Sequence, residues 1–288
     1  MQRVKEKAIQ LLKDGVVDRV IGWKAGEFFY DLTPAVFTSA EEVEKDFVWS
    51  VFSAANVSKY LIAESKKSGR IAAFLKPCDS YSFVQLCKEH RIAKENVYVV
   101  GVQCDGTCDI EKLKALGFKG VTGVEERGEE LLVSTLYGGK TAAKKDALLE
   151  RCTVCKSKRI AYFDELLGEQ GEDCGDARFE AVEKLEAMTP EERFAFWRGE
   201  LSRCIRCNAC RNVCPACSCE KCVFDNHALG TDNKAAADDF EENFFHIIRA
   251  FHVASRCTDC GECSRVCPQH IPLHLLNRKF IKDINELY

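Results

Sequence analysis

The sequence predicts an α/β domain over residues 1–160, an acidic helical connector over 161–188, and a mainly α-helical, cysteine-rich domain over 189–288. Three observations predict it. In the first half, short apolar runs rich in β-branched residues alternate with stretches of helical periodicity, the pattern of a parallel sheet covered by helices. The stretch from 164 to 188 is dense in Glu and Asp and reads as helix. Beyond it, two cysteine runs of identical spacing set the organisation.

The elements follow in order. A helix from about Val4 to Lys13 passes through Gly15 into an apolar run, Val16 to Ile21. A second helical stretch, Ser58 to Ser68, ends at Gly69. Ile71 to Leu75 reads as a buried strand and leads into a turn at Lys76-Pro77-Cys78-Asp79. A helix from about Ser80 to Glu89 precedes the apolar strand Val97 to Val102. Lys119–Val124 and Leu131–Tyr137 read as a small hairpin. At Thr189-Pro190-Glu191-Glu192 a helix begins, with Thr189 as N-cap, Pro190 at the first helical position and Glu192 closing a capping box.

Composition narrows the function. The 288 residues are 46% hydrophobic and 30% charged with a formal net charge of −4, the balance of a globular protein. No basic block points to nucleic acid or a membrane surface. No apolar run nears the roughly 18 residues of a spanning helix, and the charged N-terminus lacks a signal-peptide centre. The expectation is a cytoplasmic protein. Cysteine is the outlier: the chain has 18. In a reducing compartment clustered thiols point to metal rather than to disulfides, and oxygen-sensitive metal centres point to an anaerobic source.

The first run is Cys204-Ile-Arg-Cys207-Asn-Ala-Cys210-Arg-Asn-Val-Cys214-Pro215 and the second Cys257-Thr-Asp-Cys260-Gly-Glu-Cys263-Ser-Arg-Val-Cys267-Pro268. Both fit C-x2-C-x2-C-x3-C-P, the spacing of bacterial two-cluster ferredoxins. Three thiolates two residues apart wrap one 4Fe-4S cubane, and the fourth cysteine ligates the neighbouring cluster. One cluster is therefore expected on Cys204, Cys207, Cys210 and Cys267, and the other on Cys257, Cys260, Cys263 and Cys214. Zinc, which favours paired C-x2-C knuckles with four ligands in total, fits two matched four-cysteine runs poorly.

The segment between the runs is longer than a minimal ferredoxin needs. In it Phe240, Phe244, Ile247, Ile248 and Phe251 recur at helical spacing and predict an apolar face packed over the clusters, with partner docking as the alternative. His246 and His252 read as ordinary helix residues. The inserted helix gives the expected fold class: an α/β N-terminal domain plus a mainly α-helical dicluster ferredoxin domain.

Cys104 and Cys108 follow the strand ending at Val102, and Cys152 and Cys155 lie further on. Together they supply four thiolates, enough for a third 4Fe-4S cluster or a tetrahedral zinc. Spacing alone leaves both open, along with unliganded thiols. Lys76, Cys78 and Asp79 lie at the C-terminal end of a strand, where α/β sheets hold ligands, and are candidate cofactor-binding residues. Cys78 reads equally as a buried structural thiol. Cys87 and Cys174 read as non-functional. Cys217, Cys219 and Cys222 could hold a further metal or replace a ligand of the paired clusters.

The segment from Arg203 to Cys219, the run Cys257 to Pro268, the Lys76–Asp79 turn and the strand followed by Cys104 resemble the iron–sulfur beta subunits of soluble hydrogenases. They also resemble the related beta subunits of deazaflavin-dependent hydrogenases and formate dehydrogenases. The resemblance implies an electron-relay subunit in a complex with hydrogenase, formate dehydrogenase or heterodisulfide-reductase-like partners, and the leading expectation is a non-catalytic component. Some relatives bind a flavin and reduce a deazaflavin. Here the ferredoxin module is C-terminal and no flavin-phosphate loop or G-x-G-x-x-G fingerprint is evident, so flavin stays open. A flavin-containing catalytic subunit reducing a soluble carrier, and a zinc-stabilised scaffold, are the alternatives.

Overall fold

The computed structural model describes residues 2–225 and 239–287, with side chains from residue 244 onward in the second segment. The chain divides into two units, Met1–Cys174 and Gly175–Tyr288.

In the first unit, α1 (Gln2–Lys13) places Val4, Ala8 and Leu11 on one buried stripe. β1 (Arg19–Ala25) and β2 (Leu32–Phe37) pair antiparallel. α2 (Ala40–Asp46) is capped by Ser39, whose side chain accepts from the Glu42 N–H. The helix expected over Ser58–Ser68 is reduced to a 3-10 turn at Val57–Lys59 and a single α turn, α3 (Leu61–Glu64). The Asn56 side chain accepts from the Ser58 N–H, and the Ser65 hydroxyl accepts from the Ala93 N–H. Such bonds draw these polar side chains away from continuous helix.

β3 (Ile71–Leu75) leads directly into α4 (Pro77–Lys88). The turn expected at Lys76–Asp79 is thus a helix start. Pro77 takes the first helical position, where its missing N–H leaves no bond unmade, and the Asp79 carboxylate accepts from the Lys76 N–H at 3.2 Å. Next come β4 (Val97–Val102), α5 (Ile110–Ala115), and a three-stranded antiparallel sheet of β5 (Val121–Arg127), β6 (Glu130–Thr135) and β7 (Gly138–Ala143). The short helices α6 (Lys144–Ala147) and α7 (Glu150–Thr153) precede β8 (Glu165–Leu167). The stretch read as wholly helical from 164 therefore begins with a strand.

The main sheet has the order β2-β1-β3-β4-β8. The pairs β1–β3, β3–β4 and β4–β8 are parallel. Ala72 and Phe74 of β3 face one apolar cluster with Val4, Leu11 and Val100. Ile71, Ala73 and Leu75 face another with Trp23, Phe83 and Val99. Burial on both faces explains why this strand reads as an uninterrupted apolar run. The parallel strands β3, β4 and β8 end together, just before Lys76, Gln103 and Gly168.

The second unit contains α8 (Glu180–Glu186), α9 (Pro190–Leu201), α10 (Ala209–Val213), α11 (Asp239–Val253), α12 (Glu262–Arg265) and α13 (Leu273–Leu287), with no strand among its described residues. The capping box of α9 is formed: the Thr189 hydroxyl accepts from the Glu192 N–H, and the Glu192 carboxylate accepts from the Thr189 N–H. No helix among the described residues is long and apolar enough to cross a membrane.

Of the predicted apolar face of α11, Ile248 is half-buried against the core cluster, but the rest of the described stripe is not the buried face. Phe244, Ile247 and Phe251 are 43%, 43% and 58% exposed, whereas Phe245, His246, Arg249, Ala250 and Val253 are buried. The Phe240 side chain lies outside the described residues. The helix is rotated so that its polar pair, His246 and Arg249, meets cysteines, as described below.

Candidate metal centres

The two cysteine runs fold into loops of matching geometry. Arg206 and Asp259, which stand just before the second cysteine of each run, have φ of 51° and 59°. Asn208 and Gly261, just after it, have φ of 60° and 66° and precede α10 and α12. Successive residues alternating between right- and left-handed backbone turn their N–H groups into a common concavity, a geometry suited to anions and to cluster sulfurs. Gly occupies this position at no steric cost, and Asn tolerates it better than most side chains.

The first quartet is brought together. Cys204, Cys207, Cys210 and Cys267 all line one cavity, closed by Phe245, His246, Ile271 and Leu273. His246 Nε2 lies 3.2 Å from Cys204 Sγ. Burial, helped by the charges of Arg249 and Arg206, holds the His246 pKa down to about 3. The imidazole is neutral, and in its Nε2–H tautomer it can donate to the sulfur. Arg249, 4% exposed, donates to the Cys210 carbonyl at 3.1 Å. Burial opposes its charge, but the surrounding Cys263, Cys210, Cys214 and Cys217 raise its pKa and keep the guanidinium charged.

In the second quartet, Cys214 and Cys257 pack in the same small cluster with Ala216, Cys217 and Val253. The charge of Cys214 is felt at Cys257, Cys260 and Cys263 alike. A hydrogen bond from Cys217, acting against burial and with Arg249, pulls the Cys214 thiol below its ordinary pKa. Cys217 thus stands beside a predicted ligand. Cys222 interacts with Arg211, and Cys219 is exposed. The loop is anchored by Asp259, whose side chain is 2% exposed and accepts from Arg278 Nε at 3.0 Å and Arg178 Nη1 at 2.9 Å. Asn277 points its amide at Cys263 Sγ, 3.8 Å away.

These residues fit a pair of cubanes. Each quartet offers four thiols, left-handed positions that turn N–H groups inward, and N–H or cationic groups close to sulfur. His246, Arg249 and the Arg178–Asp259–Arg278 network had no spacing signature. Both helices carry many polar residues, and only the fold shows that 246 and 249 in α11 and 278 in α13 are buried.

The first unit treats its candidates differently. Lys76 and Asp79 form a buried ion pair at 2.8 Å. Lys76 also donates to the Ala55 carbonyl at 3.1 Å and sits 4.4 Å over the Trp23 ring. Asp79 is fully buried, and burial raises its pKa against the pull of Lys76. Its carboxylate serves Lys76 and the start of α4. Cys104, Cys152 and Cys155 line a second cavity, and the thiol that joins them is Cys78. Cys108 packs into an apolar cluster with Val51, Phe52, Leu113 and Leu131, where burial pushes its pKa up to about 12. Cys87 packs against the main core, and Cys174 is exposed.

A cleft of about 490 Å³ opens at the C-terminal ends of the parallel strands, lined by Lys76, Val102, Gln103, Cys104, Leu167 and Gly168 with Arg3 and Lys144. None of the 18 cysteines is in a disulfide.

Comparisons with known proteins bear on the C-terminal part of the chain first. Residues 200–271 match the family model described as a 4Fe-4S dicluster domain. The chain is 26% identical to the F420-dependent formate dehydrogenase subunit beta of Methanocaldococcus jannaschii, over 94% of this chain and 86% of the relative. It is also 26% identical to the F420-dependent formate dehydrogenase 1 subunit beta of Methanococcus maripaludis, over 74% of this chain and 71% of the relative. A solved structure of the F420-reducing NiFe hydrogenase complex from Methanosarcina barkeri aligns with a TM-score of 0.43 at 17% identity, covering 53% of this chain and 58% of that one. The resemblance to iron–sulfur beta subunits therefore extends over most of the chain, and its C-terminal part is a 4Fe-4S dicluster domain.

Proposed function

We propose that this chain is the electron-transfer subunit of a multi-subunit oxidoreductase, carrying two 4Fe-4S clusters in its second unit and passing single electrons between redox partners. The observation that carries the reading is the gathering of Cys204, Cys207, Cys210 and Cys267 around one cavity. Three come from the first run and one from the second, the crossed ligation that the ferredoxin spacing requires. Cys257, Cys260, Cys263 and Cys214 hold the partner cluster.

Each cubane, when bound, accepts and returns one electron, so no covalent bond to a substrate is made at these sites. The protein's own residues set the conditions. Phe245, Ile271 and Leu273 wall one cubane with apolar surface and keep the local dielectric low. His246 donates toward a ligand sulfur, and the buried Arg249 cation offsets negative charge beside both quartets. Such contacts fix the potentials at which electrons enter and leave. By analogy with the formate dehydrogenase subunits it matches, the partners are the catalytic subunits of a formate dehydrogenase or a hydrogenase.

A second reading rests on the cleft. Its size is that of a cofactor pocket, and it opens beyond the carboxyl ends of parallel strands, where open α/β sheets bind ligands. A flavin held there would make the subunit the site at which a soluble carrier is reduced.

The test is the purified full-length chain, isolated without oxygen. Reduction should produce the EPR signal of 4Fe-4S clusters, with negligible turnover of formate or hydrogen. Turnover by the chain alone would contradict the electron-transfer reading. Flavin absorbance in the acid supernatant of the same preparation would establish the second reading, and a colourless supernatant would remove it.

A further inference from the structure

We infer that the two clusters proposed above are unequal. On that reading, the cluster on Cys204, Cys207, Cys210 and Cys267 has the higher potential, and an electron entering the pair settles there, at the end that meets the surface.

The two runs are repeats of one loop, so matched positions can be compared directly. Arg206 and Asp259 stand at the same place, between the first and second cysteines, with φ of 51° and 59°. One is a cation and the other an anion. Two residues after the second cysteine the contrast recurs, where Ala209 opens α10 and Glu262 opens α12.

These side chains are buried, so water does little to level the difference. Arg206 is 5% exposed, lines the cavity of the first quartet and lies 4.4 Å over the Phe245 ring. Glu262 is fully buried and accepts from Arg265 Nε at 2.6 Å and Nη2 at 2.9 Å. Its charge still reaches the second quartet: burial, then Cys214, then Glu262 push the Cys260 thiol up. At Cys257, burial and Cys214 act first, and the Asp259 carboxylate adds to the rise.

Reduction adds one negative charge to a cubane. A guanidinium on the cavity wall favours that change and a carboxylate opposes it, and cluster potentials follow local charge and solvent exposure. Exposure acts in the same direction. Cys207 is exposed and Ile205 beside it is 55% exposed, whereas Cys214 and Cys263 are buried and Cys257 and Cys260 are half-buried. The other polar contacts do not separate the pair. Arg249 acts on thiols of both quartets, and each quartet has a side-chain nitrogen near sulfur, His246 at Cys204 and Asn277 at Cys263.

The experiment is an EPR-monitored redox titration of the full-length chain, reconstituted anaerobically with ferrous iron and sulfide, beside Arg206→Gln, Arg206→Lys and Glu262→Gln. Wild type should reduce in separate steps. Arg206→Gln should move the higher of the paired steps down by about tenfold in its equilibrium constant, about 59 mV for a one-electron couple. Arg206→Lys, which keeps the charge, should leave that step in place. Glu262→Gln should move the lower step up by a similar amount. A step moved by neither substitution belongs to neither quartet. The inference is overturned if Arg206→Gln acts on the lower step, if the paired steps coincide, or if Arg206→Lys shifts the potential as far as Arg206→Gln. Should Glu262→Gln not accumulate as folded protein, the two Arg206 variants decide alone. Absence of any 4Fe-4S signal is a different result, which overturns the paired-cluster reading itself.

Discussion

His246 shows how much one side chain can settle at a cluster. Its neutral imidazole donates toward Cys204 Sγ, and that bond strengthens when reduction adds negative charge to the cluster. The contact therefore favours the reduced state and raises the potential. A net hydrogen bond of about 1 kcal/mol corresponds to about 40 mV for a one-electron couple, at roughly 59 mV per tenfold. His246→Phe should lower the potential of the cluster on Cys204 by about that amount in an EPR-monitored titration, and an unchanged potential would contradict the role. The eight cysteines proposed as ligands could be picked out without the fold because a cubane dictates such spacing. His246 was not, because its contact depends on how α11 is rotated, and the Phe and Ile stripe pointed to the wrong face. Cys78 was legible only as a candidate, because only the fold shows which thiols face the cavity.

Among the elements, the loop from Cys257 to Cys260 is held by a charge placed between two buried arginines. Asp259→Ala leaves Arg178 and Arg278, 7% and 2% exposed, without their carboxylate. Breaking a buried pair in this way costs about 3–5 kcal/mol. The variant should unfold at lower denaturant and lose first the cluster on Cys257, Cys260, Cys263 and Cys214. Retention of both clusters at wild-type stability would show that the network does not anchor the loop. Elements differ in legibility for related reasons. β3 and β4 were plain because burial on both faces makes them apolar throughout. β7, with the sequence Gly-Gly-Lys-Thr-Ala-Ala, has no apolar alternation and exists through its pairing with β6. β8 was hidden in acidic surroundings and is fixed from outside: Asp164 accepts from the Val99 N–H at 2.7 Å, and Glu165 accepts from the Tyr98 hydroxyl at 3.1 Å.

At the scale of the molecule, a doubly covered parallel sheet presents a cleft and a ring of thiols at one edge, and a separate helical unit gathers cysteines from two distant runs. The division of labour was readable from the cysteine spacing and the strand pattern. The ion pair of Lys76 and Asp79 was not, since nothing in a Lys-Pro-Cys-Asp run says that both charges are buried. The second unit depends on its cysteines for more than electron transfer: six of the eight paired thiols, all but Cys207 and Cys260, pack in or against its small apolar clusters, so cluster assembly and folding of the unit are coupled. The most direct measurement is the iron and acid-labile sulfide content of the full-length chain purified without oxygen. The account predicts at least about eight of each per chain, four per cubane. Protein that carries zinc, with no labile sulfide, would contradict it.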